Sequence, residues 1–224
     1  MSSSEVNSYQ FPAPPPALLW EDDFSSSSGY TFTTGNSISG GVLTFQPAST
    51  GDGFVKAMGV SLPETFTARF HGWKVTSYTW AASFSFVFGF QSDTTPVNYL
   101  SQTEAWGIDI FRRNNPPSAG NMINRFKAAH LGSRSGVSGG ENGTNLTTGV
   151  KYYVQAEKLA GNTGTISIFT DAAFTNLLTP TISGTLTQNP TTGSLQYFAL
   201  AGQQFSGTQI INLDKVEVWD STPA

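Results

Sequence analysis

Apolar and polar residues alternate along most of the chain, which is the pattern of β-strands. The clearest run is Trp80–Phe90, where every second residue from Trp80 is alanine or aromatic and the residues between are mostly small. Glu64–Val75 has the same pattern, with Phe66, Ala68 and Phe70 sharing one parity. Successive side chains of a strand point to opposite faces, so each run predicts one face for a core. The small-residue face of Trp80–Phe90 suits a concave sheet or a closely packed neighbour.

Shorter apolar runs, separated by clusters of Gly, Asn, Pro and Ser, predict the remaining strands. Many short strands at regular spacing indicate an all-β fold, an antiparallel two-sheet jelly-roll β-sandwich. These runs are Gly41–Pro47, Ala105–Arg112, Lys151–Lys158, Gly164–Asp171, Ser194–Ala201 and Gln209–Trp219.

Two segments depart from simple alternation. In Gln209–Trp219 the apolar residues change parity between Leu213 and Val216, which predicts a bulge near Asp214-Lys215. The segment Asn121–Gly132 comes nearest to an amphipathic helix, yet it also fits a strand that ends at a glycine turn. The pattern leaves these two interpretations open.

A proline-rich segment precedes the first strand. Four of the five residues 12–16 are proline, which favours polyproline II, a conformation without internal hydrogen bonds. The sequence therefore predicts an extended arm over residues 1–18 and a sandwich over 19–224. The arm either packs on its own sandwich or ties it to a neighbouring subunit or scaffold, and the second alternative is preferred. Its predicted partner-binding residues are Tyr9, Phe11, Pro12, Pro14, Pro15, Pro16, Leu18 and Leu19.

The composition restricts the classes of partner that the protein is expected to bind. The 224 residues carry a net charge of −4, and only 12% of them are charged. The basic residues are scattered, with Arg112-Arg113 as the densest cluster, which argues against nucleic acid as a partner. There is no cysteine. No secretory signal pattern is present at the N-terminus, and no apolar run approaches the ~18 residues of a membrane span.

Several stretches occur in the order found in one protein superfamily. They are DDF at Asp22–Phe24, WGIDIF at Trp106–Phe111, the long run Tyr152–Phe174, and NLDKVEVW at Asn212–Trp219. Together they resemble the concanavalin A-like lectin/glucanase superfamily, of the laminin-G-like kind found in microbial and viral surface proteins. The resemblance covers about Leu19 to Trp219. It implies two curved antiparallel sheets with the first and last strands adjacent, and a concave face that often holds sugar.

Catalytic residues are not predicted. The glucanases of this superfamily carry alternate carboxylates on one strand, and the matching strand here offers only Asp109. Glu104 has the opposite parity, so in a regular strand the two point to opposite faces. Polysaccharide lyases need converging Tyr, His and Arg or Gln, and no linear motif joins His71, His130 and the remaining candidates Arg69 and Gln155. We therefore expect neither an enzyme nor a bound cofactor.

Two binding sites remain as hypotheses. Adjacent first and last strands would bring five acidic residues together, either as ligands of a hard cation or, as we prefer, as solvated edge charges that prevent aggregation. These acids are Glu21, Asp22, Asp23, Asp214 and Glu217.

Aromatic residues near strand ends are candidate glycan platforms, although core packing is the more common role for tryptophan. These aromatics are Trp73, Tyr78, Tyr99 and Trp106.

These patterns favour a non-enzymatic structural module. The preferred hypothesis is a virion decoration, cement or spike protein, anchored by its arm to a capsid or filament scaffold as a homo-oligomer or part of a larger assembly. Its location would be the surface of the virion or of an extracellular assembly. The alternative is a lectin-like carbohydrate-binding module that contacts surface glycans. A polysaccharide-degrading glycanase or lyase is the second alternative.

Overall fold

The structure is a computed structural model. It describes residues 13–46, 53–78, 84–94, 104–112, 121–130, 133–135, 142–161, 163–178, 181–185, 190–204 and 209–223. These ranges hold 17 strands and no helix. In chain order the strands are β1 (Leu18–Asp22), β2 (Tyr30–Phe32), β3 (Asn36–Ser39), β4 (Val42–Phe45), β5 (Gly53–Ala57), β6 (Phe66–Tyr78), β7 (Phe84–Gln91), β8 (Glu104–Arg112), β9 (Asn121–His130), β10 (Ser133–Ser135), β11 (Asn142–Asn145), β12 (Tyr152–Lys158), β13 (Thr163–Phe169), β14 (Ile182–Thr185), β15 (Tyr197–Gln204), β16 (Gln209–Leu213) and β17 (Lys215–Trp219).

The strands form two antiparallel sheets. In the first sheet the order is β14-β13-β12-β6-β16-β4-β3, and β17 pairs with both β6 and β1. In the second sheet the order is β10-β9-β8-β7-β15-β5-β2, and β11 pairs with β9. Consecutive strands therefore often lie in different sheets, as in a jelly roll. The predicted all-β sandwich and the predicted adjacency of the first and last strands are both confirmed.

The core lies between the two sheets and is largely aromatic. Phe66 of β6 contacts Trp106 of β8 with ring centroids 4.9 Å apart, and it contacts Phe90 of β7 at 5.5 Å. Phe54 and Phe198, from the second sheet, are 5.2 Å apart. All five side chains are at most 1% exposed. Large rings supply more buried area than aliphatic side chains do, which suits a chain of low apolar content.

The strand β9 resolves the ambiguity of Asn121–Gly132. It pairs with β8 over nine residue pairs, from Glu104 opposite His130 to Arg112 opposite Met122. The strand interpretation is therefore the right one. Pairing with β8 gives the backbone of the segment hydrogen-bond partners without requiring an apolar helical stripe.

The change of parity in Gln209–Trp219 is also explained. The segment forms two strands, β16 and β17, which are separated by Asp214 and both pair with β6. Ile211 and Leu213 are buried before the break, and Val216 and Val218 are buried after it. The parity therefore changes at Asp214, near the predicted position, but through a break between two strands and not through a bulge. Asn212 pairs with Lys74 and Lys215 with His71 in one register, and the register shift against β6 lies at Ile210 and Ile211.

The described part of the proline-rich arm leaves the sandwich at Ala17. The amide of Ala17 donates to Asp220 Oδ1 over 2.8 Å, and the amide of Asp220 donates to the Ala17 carbonyl over 3.0 Å. Pro14 and Pro15 are exposed and Pro16 is half-buried. Three of the arm's predicted binding residues lie outside the described residues, namely Tyr9, Phe11 and Pro12. The described part of the chain contains no helix with the length and hydropathy needed to cross a membrane.

Candidate functional site

The outward face of the second sheet, the face turned away from the core, carries the candidate site. Phe54, Phe90, Trp106 and Phe198 point into the core, so the alternate positions of their strands belong to the outward face. The strand register aligns these positions in straight rows. One row runs from Val55 through Ala199, Gly89 and Gly107 to Lys127.

The centre of that row is built from small residues. We call Val55, Ala199, Gly89 and Gly107 the floor row. Glycine is required at Gly89, because a Cβ there would lie 2.0 Å from the Trp106 carbonyl oxygen and 2.5 Å from the Gly107 Cα. The backbones of β7 and β8 therefore approach closely. Val55 and Ala199 are 2% and 6% exposed and both glycines are buried, so the floor row itself is not open to solvent.

An aromatic side chain borders the floor row. Tyr197 of β15 precedes the core residue Phe198, so it belongs to the outward face, and it is half-buried. Its paired positions are Ala57 on β5 and Gln91 on β7. The Gln91 amide is held by the Asp93 carbonyl, to which its Nε2 donates over 2.9 Å. Tyr197 thus stands next to small or fixed neighbours. Sequence reasoning missed it, although the alternation of Phe198 with Tyr197 and Ala199 was visible.

Charged positions follow on the other side of the floor row. The next row pairs Asp109 of β8 with Arg125 of β9. Lys127 lies opposite Gly107 at the end of the floor row. Asp109, the one acid of the segment WGIDIF, therefore lies opposite a basic position. No second acid occurs at the positions of β8 that share its parity, which are residues 105, 107 and 111.

Two predicted glycan platforms are wrong. Trp73 and Trp106 are 1% and 0% exposed, so neither can present a ring to a sugar. Trp106 has the parity of the buried Ile108 and packs on Phe66. Trp73 would share the outward parity of Arg69 in a regular strand, but the register shifts beside Gly72 and turns Trp73 into the core. The alternative of core packing holds for both. The side chain of Tyr78 and all of Tyr99 lie outside the described residues.

The outward face of the first sheet is polar, but its groups are already paired. One row crosses five strands, from Ser167 through Gln155, Arg69 and Glu217 to Glu21. Arg69 donates to Gln155 Oε1 over 2.8 Å and to the Pro223 carbonyl over 2.7 Å. Such bonds stabilise the fold, and they leave Arg69 little capacity for a ligand.

Phe174 forms a small aromatic cluster on the same face. Its ring lies under the guanidinium of Arg69 at 4.4 Å and meets the edge of His71 at 5.0 Å. Phe169 and Tyr153 complete the cluster at 5.4 and 6.0 Å. The loop that carries Phe174 is closed by Asp171, whose carboxylate accepts the amides of residues 175 and 176.

His71 lies beside Glu217, with Nε2 3.1 Å from the carboxylate. Burial lowers the pKa of His71 below its ordinary value, and the hydrogen bond to Glu217 only partly opposes this. Glu217 also accepts from Lys215 over 2.8 Å, and its pKa is lowered because the bonds from Lys215 and His71 outweigh its burial. His71 and Arg69 thus belong to a structural network, together with Gln155. The side chain of His130 lies outside the described residues.

The five acids near the chain ends do not converge on one point. Asp22 binds Lys56 and the Tyr30 hydroxyl, and Asp214 binds Lys151. Glu21 and Glu217 share Lys215, and Asp23 accepts the amide of residue 25. Among the described residues, no group of three or more His, Asp or Glu side chains is arranged to hold a metal ion.

Comparison with known proteins places the fold. No family model matches the sequence, and no curated protein matches it. Solved structures do match. The carbohydrate recognition domain of Emp47p has a TM-score of 0.61 at 10% identity, covering 95% of this chain and 100% of that chain. A Bacillus subtilis protein of unknown function with a galectin-like fold has a TM-score of 0.59 at 13% identity, covering 94% and 99%.

A third similar structure is the exoplasmic/lumenal domain of VIP36 in its Ca2+/Man3GlcNAc-bound form. Its TM-score is 0.57 at 10% identity, and the match covers 88% of this chain and 85% of that chain. At such identities the likeness concerns the fold. The chain has the concanavalin A-like jelly-roll fold that galectin-like proteins and these carbohydrate recognition domains share.

Proposed function

We propose that the protein is a lectin-like carbohydrate-binding module that binds glycan on the outward face of its second sheet. The observation that carries the proposal is Tyr197, a half-buried aromatic side chain on this face, whose paired position on β5 is the exposed Ala57. A sugar ring packs its C–H groups on an aromatic ring, and Tyr197 offers such a ring beside a small side chain.

The similar structures support the same class of function. Two of them are carbohydrate recognition or glycan-bound domains, and one of these holds Man3GlcNAc. The outward face of the first sheet is a weaker candidate, because its described polar groups already bind one another. We therefore favour the second sheet.

A glycan array tests the proposal. The full chain should bind a subset of glycans, and Tyr197→Ala should weaken that binding about tenfold, the loss expected when one aromatic contact of about 1.4 kcal/mol is removed. Tyr153→Ala is the matched control, because Tyr153 is an aromatic residue on the outward face of the first sheet. Loss of binding in the control alone, or no binding by the full chain, would contradict the proposal.

The anchoring arm stays a second proposal, supported by a separate observation. The side chains of Pro14, Pro15 and Leu18 are exposed, so the sandwich does not cover these three predicted binding residues. Leu19 differs, because it packs against the core. The comparisons lend no support to a virion decoration protein in particular.

Removal of residues 1–16 tests the arm, and it keeps the two hydrogen bonds between Ala17 and Asp220. The truncated chain should fold with an unchanged melting temperature. If the arm joins copies of the chain, sedimentation should show a smaller species than the full chain at equal concentration. Equal sizes would exclude self-assembly through the arm.

A further inference from the structure

The segment that follows β17 covers one place on the outward face of the first sheet. Thr67 belongs to this face, because its neighbours Phe66 and Ala68 lie in the core. Thr67 is nevertheless only 2% exposed. Its Oγ1 lies 3.0 Å from Thr222 Oγ1, so the chain around Thr222 lies over this part of the sheet. We call residues 221–223 the covering segment.

The covering segment binds side chains of β6 and β12 through three hydrogen bonds. The Thr222 hydroxyl donates to Glu157 Oε1 over 2.7 Å. Because its one proton is used there, the Thr67 hydroxyl donates to Thr222 Oγ1. The Pro223 carbonyl accepts from Arg69 Nη2 over 2.7 Å. The segment thus presents a hydroxyl and a carbonyl oxygen to a carboxylate, a hydroxyl and a guanidinium.

Trp219 lies beside these groups. It pairs with Thr67 and is half-buried, and it belongs to the outward face because Val216 and Val218 of the other parity lie in the core. Its Nε1 donates to Glu217 Oε2 over 3.3 Å, which holds the indole in place. An aromatic ring next to a guanidinium and a carboxylate offers a sugar both a packing surface and strong hydrogen-bond partners.

We infer that this place is a second glycan-binding site, that the covering segment closes it, and that its ligand is a neutral oligosaccharide. The inference is independent of the site proposed on the second sheet. A sugar hydroxyl both donates to a carboxylate and accepts from a guanidinium. Neighbouring hydroxyls of a sugar can therefore replace the Thr222 hydroxyl and the Pro223 carbonyl oxygen on Glu157 and Arg69.

The charges around the site favour a neutral ligand. Arg69 interacts with the carboxylates of Glu157 and Glu217, and Lys215 binds both Glu217 and Glu21. The charged side chains connected in this way are two cations and three acids. A ligand that carries carboxylate or sulfate groups gains no net attraction from such a set, whereas a hydroxyl binds a group of either sign.

The covering segment can be released without unfolding the sheet. Among the described residues, no backbone–backbone hydrogen bond involves residues 221–223, and Thr222 is exposed. The chain before it stays fixed, since the amide of Asp220 donates to the Ala17 carbonyl. A segment held by side-chain bonds alone opens locally more often than a paired strand does. The affinity of the site is then reduced by the fraction of molecules in which the segment is released.

Removal of residues 221–224 tests the inference, and it keeps the two hydrogen bonds between Ala17 and Asp220. The neutral probes are arrayed manno-, gluco- and galacto-oligosaccharides, and hyaluronan oligosaccharides are the anionic probe. The truncated chain should bind a neutral probe about tenfold or more tightly than the full chain does, as expected if about a tenth or less of the full chain is open. It should show no such gain for hyaluronan. Trp219→Leu in the truncated chain should abolish the gain.

Thr222→Val provides a second test in the full-length chain, because it removes the hydroxyl and keeps the shape of the side chain. It should give part of the same gain. Ser221→Ala is the matched control, since the Ser221 hydroxyl donates to its neighbour Asp220, and it should give none. Melting temperatures show whether each variant is folded.

Tyr197→Ala in the truncated chain distinguishes the two sites. The gained binding should survive this substitution, even if the site proposed on the second sheet does not exist. Loss of the gain in that variant would assign it to the second sheet and overturn the inference. Equal binding of every neutral probe by the truncated and full chains, or a gain that persists in Trp219→Leu, would overturn it as well.

Discussion

The carboxylate of Asp214 occupies the place that a side chain at Gly72 would need. A Cβ on Gly72 would lie 2.0 Å from Asp214 Oδ2, and Gly72 has a φ of +67°. The amide of Asp214 donates to the His71 carbonyl over 2.9 Å. The irregularity of β6 at Gly72 therefore lies next to the break between β16 and β17 at Asp214. Both strands change parity here. This coupled irregularity allows one long strand to bury Phe70 and Trp73 on the same side.

Substitution of Gly72 tests this coupling. Gly72→Ala should lower the free energy of unfolding by at least about 2 kcal/mol, because it combines a left-handed backbone with a clash. Gly59→Ala is the matched control, since Gly59 has a φ of +73° and no atom near its would-be Cβ, and it should cost about 1 kcal/mol. Chemical denaturation of both variants measures the difference.

A second substitution separates the clash from backbone strain. Asp214→Gly in the Gly72→Ala background should recover part of the lost stability, because the opposing carboxylate is gone. Gly72→Ala and Gly59→Ala could instead lower the free energy of unfolding equally, with no recovery in the double variant. That result would show that Asp214 is not what excludes a side chain at position 72.

The aromatic cluster on the first sheet should contribute substantially to stability. Phe174→Ala removes a ring that contacts Arg69, His71 and Phe169, and should cost about 2–4 kcal/mol. Leu178→Ala is the control from the same loop, because Leu178 is 37% exposed and should change stability by less than about 1 kcal/mol. Thermal unfolding compares the two. Similar melting temperatures for both variants would mean that the ring contacts of Phe174 contribute little to stability.

His71 should make stability depend on pH. Its pKa in the folded state is lowered from the ordinary 6.5, so near and below that pH the unfolded chain binds more protons than the folded one. Stability should therefore fall as the pH is lowered from 6.5 toward the folded-state pKa, and this contribution should be fully present above pH 6.5. His71→Gln, which does not titrate, should flatten that part of the profile. A steeper loss in His71→Gln than in the wild type would contradict the assignment.

The fold was largely predictable because alternation marks long strands well. Trp80–Phe90 and Tyr152–Lys158 have enough residues to show a period, and the structure has strands at Phe84–Gln91 and Tyr152–Lys158. Strands of three to five residues, such as β2, β3 and β10, are too short to show one. They are held by pairing with neighbours that are distant in sequence, which a local pattern does not report.

The candidate site was less predictable, and the reason is geometric. The face on which Trp73 lies depends on the irregularity at Gly72, and the alternation of residues 64–75 contains no sign of it. Tyr197 comes to lie beside Ala57 and Gln91 only through register between strands that are far apart in sequence.

Hydrogen exchange with and without a bound glycan tests the central claim most directly. A glycan on the outward face of the second sheet should slow amide exchange in β7, β8, β9 and β15, around Gly89, Gly107 and Tyr197, and leave β12 and β13 of the first sheet unchanged. Protection confined to β12, β13 and the loop that carries Phe174 would place the ligand on the opposite face and contradict the account.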